Sequence, residues 1–250
     1  MVGYGRMGRA IDEQASARGH QRVGILDGPS ARREGGRLDP RQMSGAEVAF
    51  EFTRGEVAEE NILALLEAGI PTVCGTTGWQ PATRVFEALA AAPVGLVLAP
   101  NFSVGVNLFF RIVEGAARRA GALGIYDPYV TESHHRGKQD VPSGTARRLA
   151  DLLLEADPRL TAVQEGHPEG PLPPGTLQVV GLRAGSDPGT HTVVFDGEQD
   201  VIELRHRARG REGFALGAVL AAEWLGRQRG LHTFDAVLDG ILEGQRKEES

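Results

Sequence analysis

The chain opens MVGYGRMGRA, and three of its first eight residues, Gly3, Gly5 and Gly8, fit the pattern GxGxxG. No other feature constrains the fold as much, because the pattern needs a buried strand before it and a helix after it. The first glycine makes a tight turn, the second lets backbone approach a pyrophosphate, and the third lets the helix pack closely on the strand. The residues that follow agree with this. Arg9 to Arg18 are good helix formers ending at Gly19, and RVGIL (22–26) reads as the next strand. Asp27 stands at its end, where a carboxylate can accept hydrogen bonds from a ribose, and the first N–H groups of the helix suit a phosphate. Only Met1 and Val2 precede the loop, where a central strand of about 5 to 6 residues belongs. The strand therefore reads as cut short, with the natural start expected several codons upstream. The short form is expected to hold a dinucleotide less firmly while keeping the same chemistry.

Strands and helices keep alternating. VAFEF (48–52) reads as a strand, EVAEENILALLEAG (56–69) as a helix with Ala58, Ile62, Leu65 and Leu66 on one face, IPTVCG (70–75) as a strand, 80–91 as a helix and VGLVLAP (94–100) as a strand. This spacing predicts a parallel sheet covered on both faces. Such sheets bind ligands at the carboxyl ends of their strands, where CGTTGW (74–79) and APNFSVG (99–105) lie. After Asn101 the pattern changes. One long helix carries Val106, Phe109, Phe110, Val113, Ala116, Ala117 and Ala120 at helical spacing, with Gly121 as its stop. IYDPYVTESHH then reads as a strand running into a polar loop, SGTARRLADLLLEA as a helix, and the Pro- and Gly-rich stretch 157–175 as an extended loop. Three strand-like runs without intervening helices predict an antiparallel meander, hence a second domain of different architecture. FALGAVLAAEWLGRQ and TFDAVLDGILEG return to helix, and the charged tail QRKEES is expected to fray.

Composition bounds the functions. The 250 residues, 41% hydrophobic and 24% charged, suit a globular chain of one large or two smaller domains. A net charge of −6 argues against a nucleic-acid-binding face. The single cysteine, Cys74, excludes an internal disulfide and reads as a packed small residue. No apolar run reaches the ~18 residues of a membrane span, and the chain reads as cytoplasmic.

The chemistry concentrates in TESHHRGKQDVPSGTARRL (131–149). His134 and His135 can exchange protons near neutral pH, Lys138 adds a cation, and PSGT opens a helix whose first amides favour an anion. The grouping suits a substrate bearing carboxylates. Three other readings compete: a solvated loop, a helix cap at Ser143 or Thr145, and a metal site joining Glu132 to the histidines. Adjacent histidines in extended backbone point to opposite faces, which makes the metal geometry poor, and no metal is expected. The remaining histidines have no such company and read as surface or core residues.

Together these motifs resemble the 4-hydroxy-tetrahydrodipicolinate reductase (dihydrodipicolinate reductase) family. The residues that carry the resemblance are GRMGR (5–9), FT (52–53), GTTG (75–78), PNFSVGVN (100–107), ESHHRGKQDVPSGTA (132–146), GLRAG (181–185), GTHTVVF (189–195), FALGA (214–218) and WL (224–225). They run nearly the full length in family order. The resemblance implies an α/β chain with a Rossmann-type parallel-sheet domain at 1–103 and 213–250, and an α+β substrate-binding and oligomerisation domain with an open mixed sheet at 104–212. It also implies NADH or NADPH as cofactor, a cyclic imine dicarboxylate as substrate, and usually a homotetramer. By motif position, His134 and Lys138 are the proton-handling pair, and His135, Ser143, Gly144 and Thr145 are substrate contacts. Gly3, Tyr4, Gly5, Arg6, Met7, Gly8, Asp27, Gly75, Thr76, Thr77, Ala99, Pro100, Asn101 and Phe102 are the cofactor surface. The chain departs from the family in a loop one residue shorter than the common GxxGRMG, in Glu51 where an Asp usually precedes FT, and in Gly28 where some members place an arginine after the acidic residue. With Arg32 and Arg33 nearby, either cofactor is expected to be used. The rival readings are another amino- or imino-acid dehydrogenase and a non-catalytic dinucleotide sensor.

Overall fold

The structure is a computed structural model that describes residues 1–28 and 38–248. Val2 alone represents the first strand. Its N–H donates to the Phe50 carbonyl (2.8 Å) and its carbonyl accepts from Phe52 N–H (2.9 Å), while on its other side Gly3 N–H donates to the Leu26 carbonyl (2.9 Å). Val2 thus bridges Leu26 and Glu51 in parallel, central as the glycine loop requires. The strand expected at 22–26 shrinks to the single bridge at Leu26, because so little backbone stands beside it to pair. Val23 and Ile25 are left 62% and 39% exposed.

From Val2 the chain turns at Gly3 (φ +84°) into helix α1 (Arg6–Ala17). Strand β1 (Ala49–Glu51), helix α2 (Gly55–Glu67), strand β2 (Thr72–Cys74), helix α3 (Thr83–Ala91) and strand β3 (Gly95–Leu98) follow. The three strands are parallel, in the order β1-β2-β3. Buried Ala58, Ile62, Leu65 and Leu66 on α2 lie on the apolar face that the periodicity marks. Helix α4 (Val104–Leu123) runs past Gly121, which packs its bare Cα against Asp157, where a Cβ would come within 3.0 Å of the Asp157 Cβ. The helix ends instead at Gly124, whose φ of +71° is the left-handed turn a helix stop needs.

Strand β4 (Asp127–His134), helix α5 (Gly144–Ala156) and strands β5 (Ala162–Glu165), β6 (Thr176–Arg183), β7 (Thr190–Asp196) and β8 (Val201–Arg207) form the second sheet, ordered β5-β6-β4-β7-β8. Two expectations are corrected here. The Pro- and Gly-rich stretch contains a strand, β5, parallel to β6. The meander is confined to β7 and β8, since β4 inserts between β6 (parallel) and β7 (antiparallel). Helix α6 (Glu212–Leu225), strand β9 (Gly230–His232) and helix α7 (Phe234–Glu248) complete the chain, with β9 extending the first sheet beside β3.

The chain divides into two compact units, Met1–Val104 with Arg211–Ser250, and Gly105–Gly210. In the first, α6 and α7 bury Ala218, Val219, Leu225 and Val237 in one cluster with Val73 and Val97 of the sheet. In the second, Val130, Leu177, Val179, Val193 and Phe195 cluster with Phe109 and Val113 of α4 and Leu149 and Leu153 of α5. The opposite face of that sheet leaves Tyr129 and Leu182 exposed.

Candidate active site

In the first unit the parallel strands bring their carboxyl ends to one edge. Gly3 to Gly8 follow Val2, Phe52 and Thr53 follow β1, Gly75 to Thr77 follow β2, Ala99 to Phe102 follow β3, and Asp27 follows the Leu26 bridge. A Cβ on Gly3 would lie 2.4 Å from the Phe52 carbonyl oxygen, and one on Gly8 2.4 Å from the Gly3 carbonyl oxygen, so loop, strand and helix touch backbone to backbone. Gly5 is different. It is exposed, a Cβ there would meet no described residue within 4 Å, and as N-cap of α1 it offers no side-chain cap. The first N–H groups of α1, which have no acceptor within the helix, therefore start beside a bare Cα, which fits a pyrophosphate.

The rest of that edge divides into framework and surface. Tyr4 donates its hydroxyl to Asp12 and lies under the guanidinium groups of Arg9 and Arg22. Thr76 is buried, accepting Thr53 N–H at its Oγ1 (2.7 Å). Ala99 and Phe102 are also buried, Phe102 with its ring between Phe52 and Phe234. Arg6, Asp27, Thr77 and Pro100 are exposed. Arg32 and Arg33 lie outside the described residues. Glu51 is fully buried and accepts from Asn61 Nδ2 (3.0 Å), Thr53 Oγ1 and the Cys74 thiol (3.3 Å). Burial first, and then the Glu51 charge, push the Cys74 thiol well above its usual range, so it is a packed and unreactive group.

The second unit gathers its titratable side chains at the end of the helix-covered face of the sheet. Side chains alternate along a strand, so Val130, Glu132 and His134 of β4 point inward together, as do His191, Val193 and Phe195 of β7. The register then sets Glu132 directly between His191 on β7 and Gly181 on β6, and pairs His134 with Arg183. Glu132 Oε1 accepts from Arg183 Nη2 (2.6 Å) and from Ser143 N–H (3.0 Å). Glu132 Oε2 lies 2.6 Å from His134 Nδ1, an ion-pair distance with the ring N–H turned off the line of a straight bond. Burial raises the Glu132 pKa, but the close His134 ring and the hydrogen bonds from Arg183 and Ser143 outweigh it and hold the carboxyl down at about 2.

Sequence reasoning placed Glu132 beside two adjacent histidines. The structure turns His134 inward and His135 outward, and the second imidazole in the cluster is His191, edge-on to His134 with ring centroids 5.1 Å apart. His191 was not singled out from the sequence, although its alternation with Val193 and Phe195 marks it as inward-facing. Glu132, His134 and His191 bring oxygen and nitrogen atoms within 4.8 Å of one another. The Arg183 guanidinium already sits on that carboxylate, which opposes a second cation.

Ser143, expected as a substrate contact and also as a helix cap, takes the cap position in the framework of the site. It is buried, its N–H is bonded to Glu132, and its Oγ accepts Ala146 N–H (3.2 Å) as the N-cap of α5 and lies 3.1 Å from His191 Nε2. Gly144 and Thr145 present the next amides, which have no acceptor within the helix. Lys138 is partly exposed and pairs with Asp140 (Nζ to Oδ1 2.8 Å). The 181–185 segment and its loop fasten this region: Ala184 N–H donates to the His134 carbonyl (3.0 Å), and His135 N–H to that of Asp187 (2.7 Å).

Two family models match the chain, dihydrodipicolinate reductase N-terminus over residues 1–102 and dihydrodipicolinate reductase C-terminus over residues 105–238. A 4-hydroxy-tetrahydrodipicolinate reductase of Archaeoglobus fulgidus is 37% identical over 258 aligned residues, covering 94% of this chain and 96% of that protein. One from Anaeromyxobacter dehalogenans is 41% identical over 203 residues, 79% of this chain and 74% of that protein. A solved, dipicolinate-bound dihydrodipicolinate reductase from Paenisporosarcina sp. TG-14 shares the fold with a TM-score of 0.74 at 21% identity, covering 93% of this chain and 95% of that one.

Proposed function

The chain belongs to the dihydrodipicolinate reductase family, and from that premise we propose that it reduces 4-hydroxy-tetrahydrodipicolinate to tetrahydrodipicolinate with NADH or NADPH, a step of diaminopimelate and lysine biosynthesis. The observation that carries the reading is the second-unit cluster, where an inward His134 backed by Glu132 stands at the head of the loop holding Lys138 and of the helix that presents Gly144 and Thr145. When bound, the reduced nicotinamide supplies a hydride. The glycine loop, with open space at Gly5 and the bare amides of α1, suits its pyrophosphate, and Asp27 suits a ribose.

The residues of the second unit supply the rest. The 4-hydroxyl group leaves as water to give a conjugated cyclic imine; adding hydride to that imine makes the ring electron-rich, and a positioned acid must deliver a proton, a service worth ~10²- to 10⁴-fold. His134 and Lys138 divide that protonation and the accompanying charge stabilisation. The Gly144 and Thr145 amides and the exposed His135 hold the substrate carboxylates. Exposed Leu182 and Tyr129 on the helix-free face of the second sheet support a contact between copies, consistent with a homotetramer. No helix among the described residues is long and apolar enough to cross a membrane. We also infer a cytoplasmic enzyme that has a small dicarboxylate as its substrate and neither nucleic acid nor membrane as a partner, the net charge of −6 arguing against a nucleic-acid face.

The test is oxidation of NADH or NADPH by the purified chain with the dihydrodipicolinate synthase product as substrate, beside an α-keto acid with ammonia. Turnover is expected only with the former, and turnover only with the latter reassigns the chain to amino-acid dehydrogenation. His134→Gln and Lys138→Ala should each lower kcat by ~10²-fold or more with cofactor affinity unchanged. Wild-type turnover in both overturns the residue assignment.

A further inference from the structure

The Glu132 carboxylate does more than back one histidine. Its Oε2 faces His134 Nδ1, and its Oε1 takes Arg183 Nη2, which also donates to the Asp140 carbonyl (2.5 Å). Asp140 in turn holds Lys138 Nζ through its side chain. A chain of contacts therefore runs from His134 to Glu132 as a close charged pair, from Glu132 to Arg183, and from Arg183 through the backbone carbonyl of Asp140 to the residue whose carboxylate holds Lys138. The same Oε1 accepts Ser143 N–H at the start of α5.

The surroundings are shaped for this path. Gly181 stands beside Glu132, where a Cβ would come within 2.8 Å of Oε1. Gly189 lies against the far side of His134, where a Cβ would come within 2.9 Å of Nε2. His191 closes the cluster from β7, and Asp187 fixes the Gly189 turn by accepting Gly189 N–H and the Thr190 hydroxyl.

We propose that Glu132 is the positioning residue for both proton-handling groups. It keeps one proton on His134 Nδ1, so that Nε2, turned away from the carboxylate, is the nitrogen that takes up and gives up the transferred proton, and through Arg183 it sets the loop that carries Lys138. This role rests on the assignment of His134 and Lys138 to proton delivery. Each side chain stands at the edge of its own element: His134 ends a strand, and Lys138 lies on a loop with a partly exposed side chain. A single buried carboxylate whose two oxygens face different partners fixes both at once.

The experiment is a double-mutant cycle on the full chain, with kcat and KM measured for substrate and for reduced cofactor. Glu132→Gln keeps the side-chain volume while removing the charge. It should lower kcat by ~10²-fold, the low end of what an acid contributes, and leave the cofactor KM unchanged. In the His134→Gln background it should add no more than about twofold, because residues acting as a unit are not additive. Arg183→Met should behave in the same way toward Lys138→Ala. Equal losses in both backgrounds mean a merely structural carboxylate and overturn the proposal alone. Wild-type turnover by His134→Gln overturns the assignment beneath it. Should Glu132→Gln fail to fold, nitrogen-15 spectra of the wild-type histidines decide, with the His134 signals identified by their loss in His134→Gln. A proton on Nδ1 is expected, and one on Nε2 alone overturns the proposal.

Discussion

Replacing His191 with Gln takes one titratable ring out of a row of inward-facing residues in which His206 on β8, His191 on β7 and Glu132 on β4 stand side by side. Burial above all, with His134, His206 and Lys138 adding repulsion that Glu132 only partly offsets, holds His191 down at about 4. It is therefore neutral at physiological pH. A neutral Nε2 can accept from the Ser143 hydroxyl, whose oxygen already receives Ala146 N–H, so its proton is free to be donated. In the unfolded chain the same ring gains its proton near 6.5. The folded state thus resists protonation, and the stability His191 allows is fully present above the unfolded value and lost as the pH falls toward the folded one. Integrated from about pH 7 to about pH 4, the loss is about 3 kcal/mol, from 1.36 kcal/mol per unit of pKa difference. Glu132 has the same sign but acts lower, between its ordinary 4.5 and about 2, so the window above about pH 4.5 belongs mainly to the histidines.

The assay is urea denaturation of wild type and His191→Gln at several pH values, followed by amide exchange in peptides from β7 so that the second unit is read separately. His206, which burial also lowers, and Glu132 are present in both proteins, so the comparison reads His191 together with its coupling to these two neighbours. The variant should be less stable near neutral pH, having lost a packed ring. It should then lose about 3 kcal/mol less than wild type on acidification. Parallel stability curves would refute the claim that His191 is held neutral by its place in the sheet.

Two substitutions test the first unit. Gly8→Ala sets a methyl group 2.4 Å from the Gly3 carbonyl oxygen, so loop and helix must part. Reduced-cofactor binding measured by fluorescence titration should weaken at least about tenfold, or about 1.4 kcal/mol, and an unchanged Kd would count against a pyrophosphate cradle there. Asp27→Ala removes the exposed carboxylate after the Leu26 bridge. It should weaken NADH about tenfold while changing NADPH little, since hydrogen bonds to a charged group are worth about 1.5–3 kcal/mol, and equal losses for both would remove Asp27 from the ribose site.

The first unit was largely legible because its information is local. Helix α1 follows from its helix formers between the glycine loop and Gly19 and α2 from its apolar spacing, and parallel strands joined by helices must end at one edge, so the glycine loop and the loops after β2 and β3 could be placed together from order alone. The misses were elements that local pattern does not define. Strand β9 is only three residues long, with Leu231 exposed between Gly230 and His232, and its pairing with β3 is what makes it a strand. Strand β5 is exposed along most of its length and hides in a Pro- and Gly-rich stretch. Gly121 carries the same sequence signal as Gly124, and what separates them is Asp157, 36 residues away from Gly121 along the chain.

The candidate site divides along the same line. The residues between 132 and 146 could be read as a group because they are contiguous, and Ser143 as a cap because capping is a local bond. His191 could not, since its role follows from β4 lying between β6 and β7, and nothing in the sequence between 176 and 207 says that a strand from 127–134 will separate two neighbours. Once β4 is there, period-two alternation suffices: Val193 and Phe195 go to the core, His191 must follow them, and the register puts Glu132 opposite. Moving β7 by one residue would turn Val193 and Phe195 out to solvent together with His191. The burial of those two side chains, at 0% and 2% exposure, is therefore what holds the histidine against the carboxylate. The hydrophobic core of the second unit sets the geometry of its polar site, and a cavity made there, as by Phe195→Ala, should disturb the His191–Glu132 pair without touching either residue.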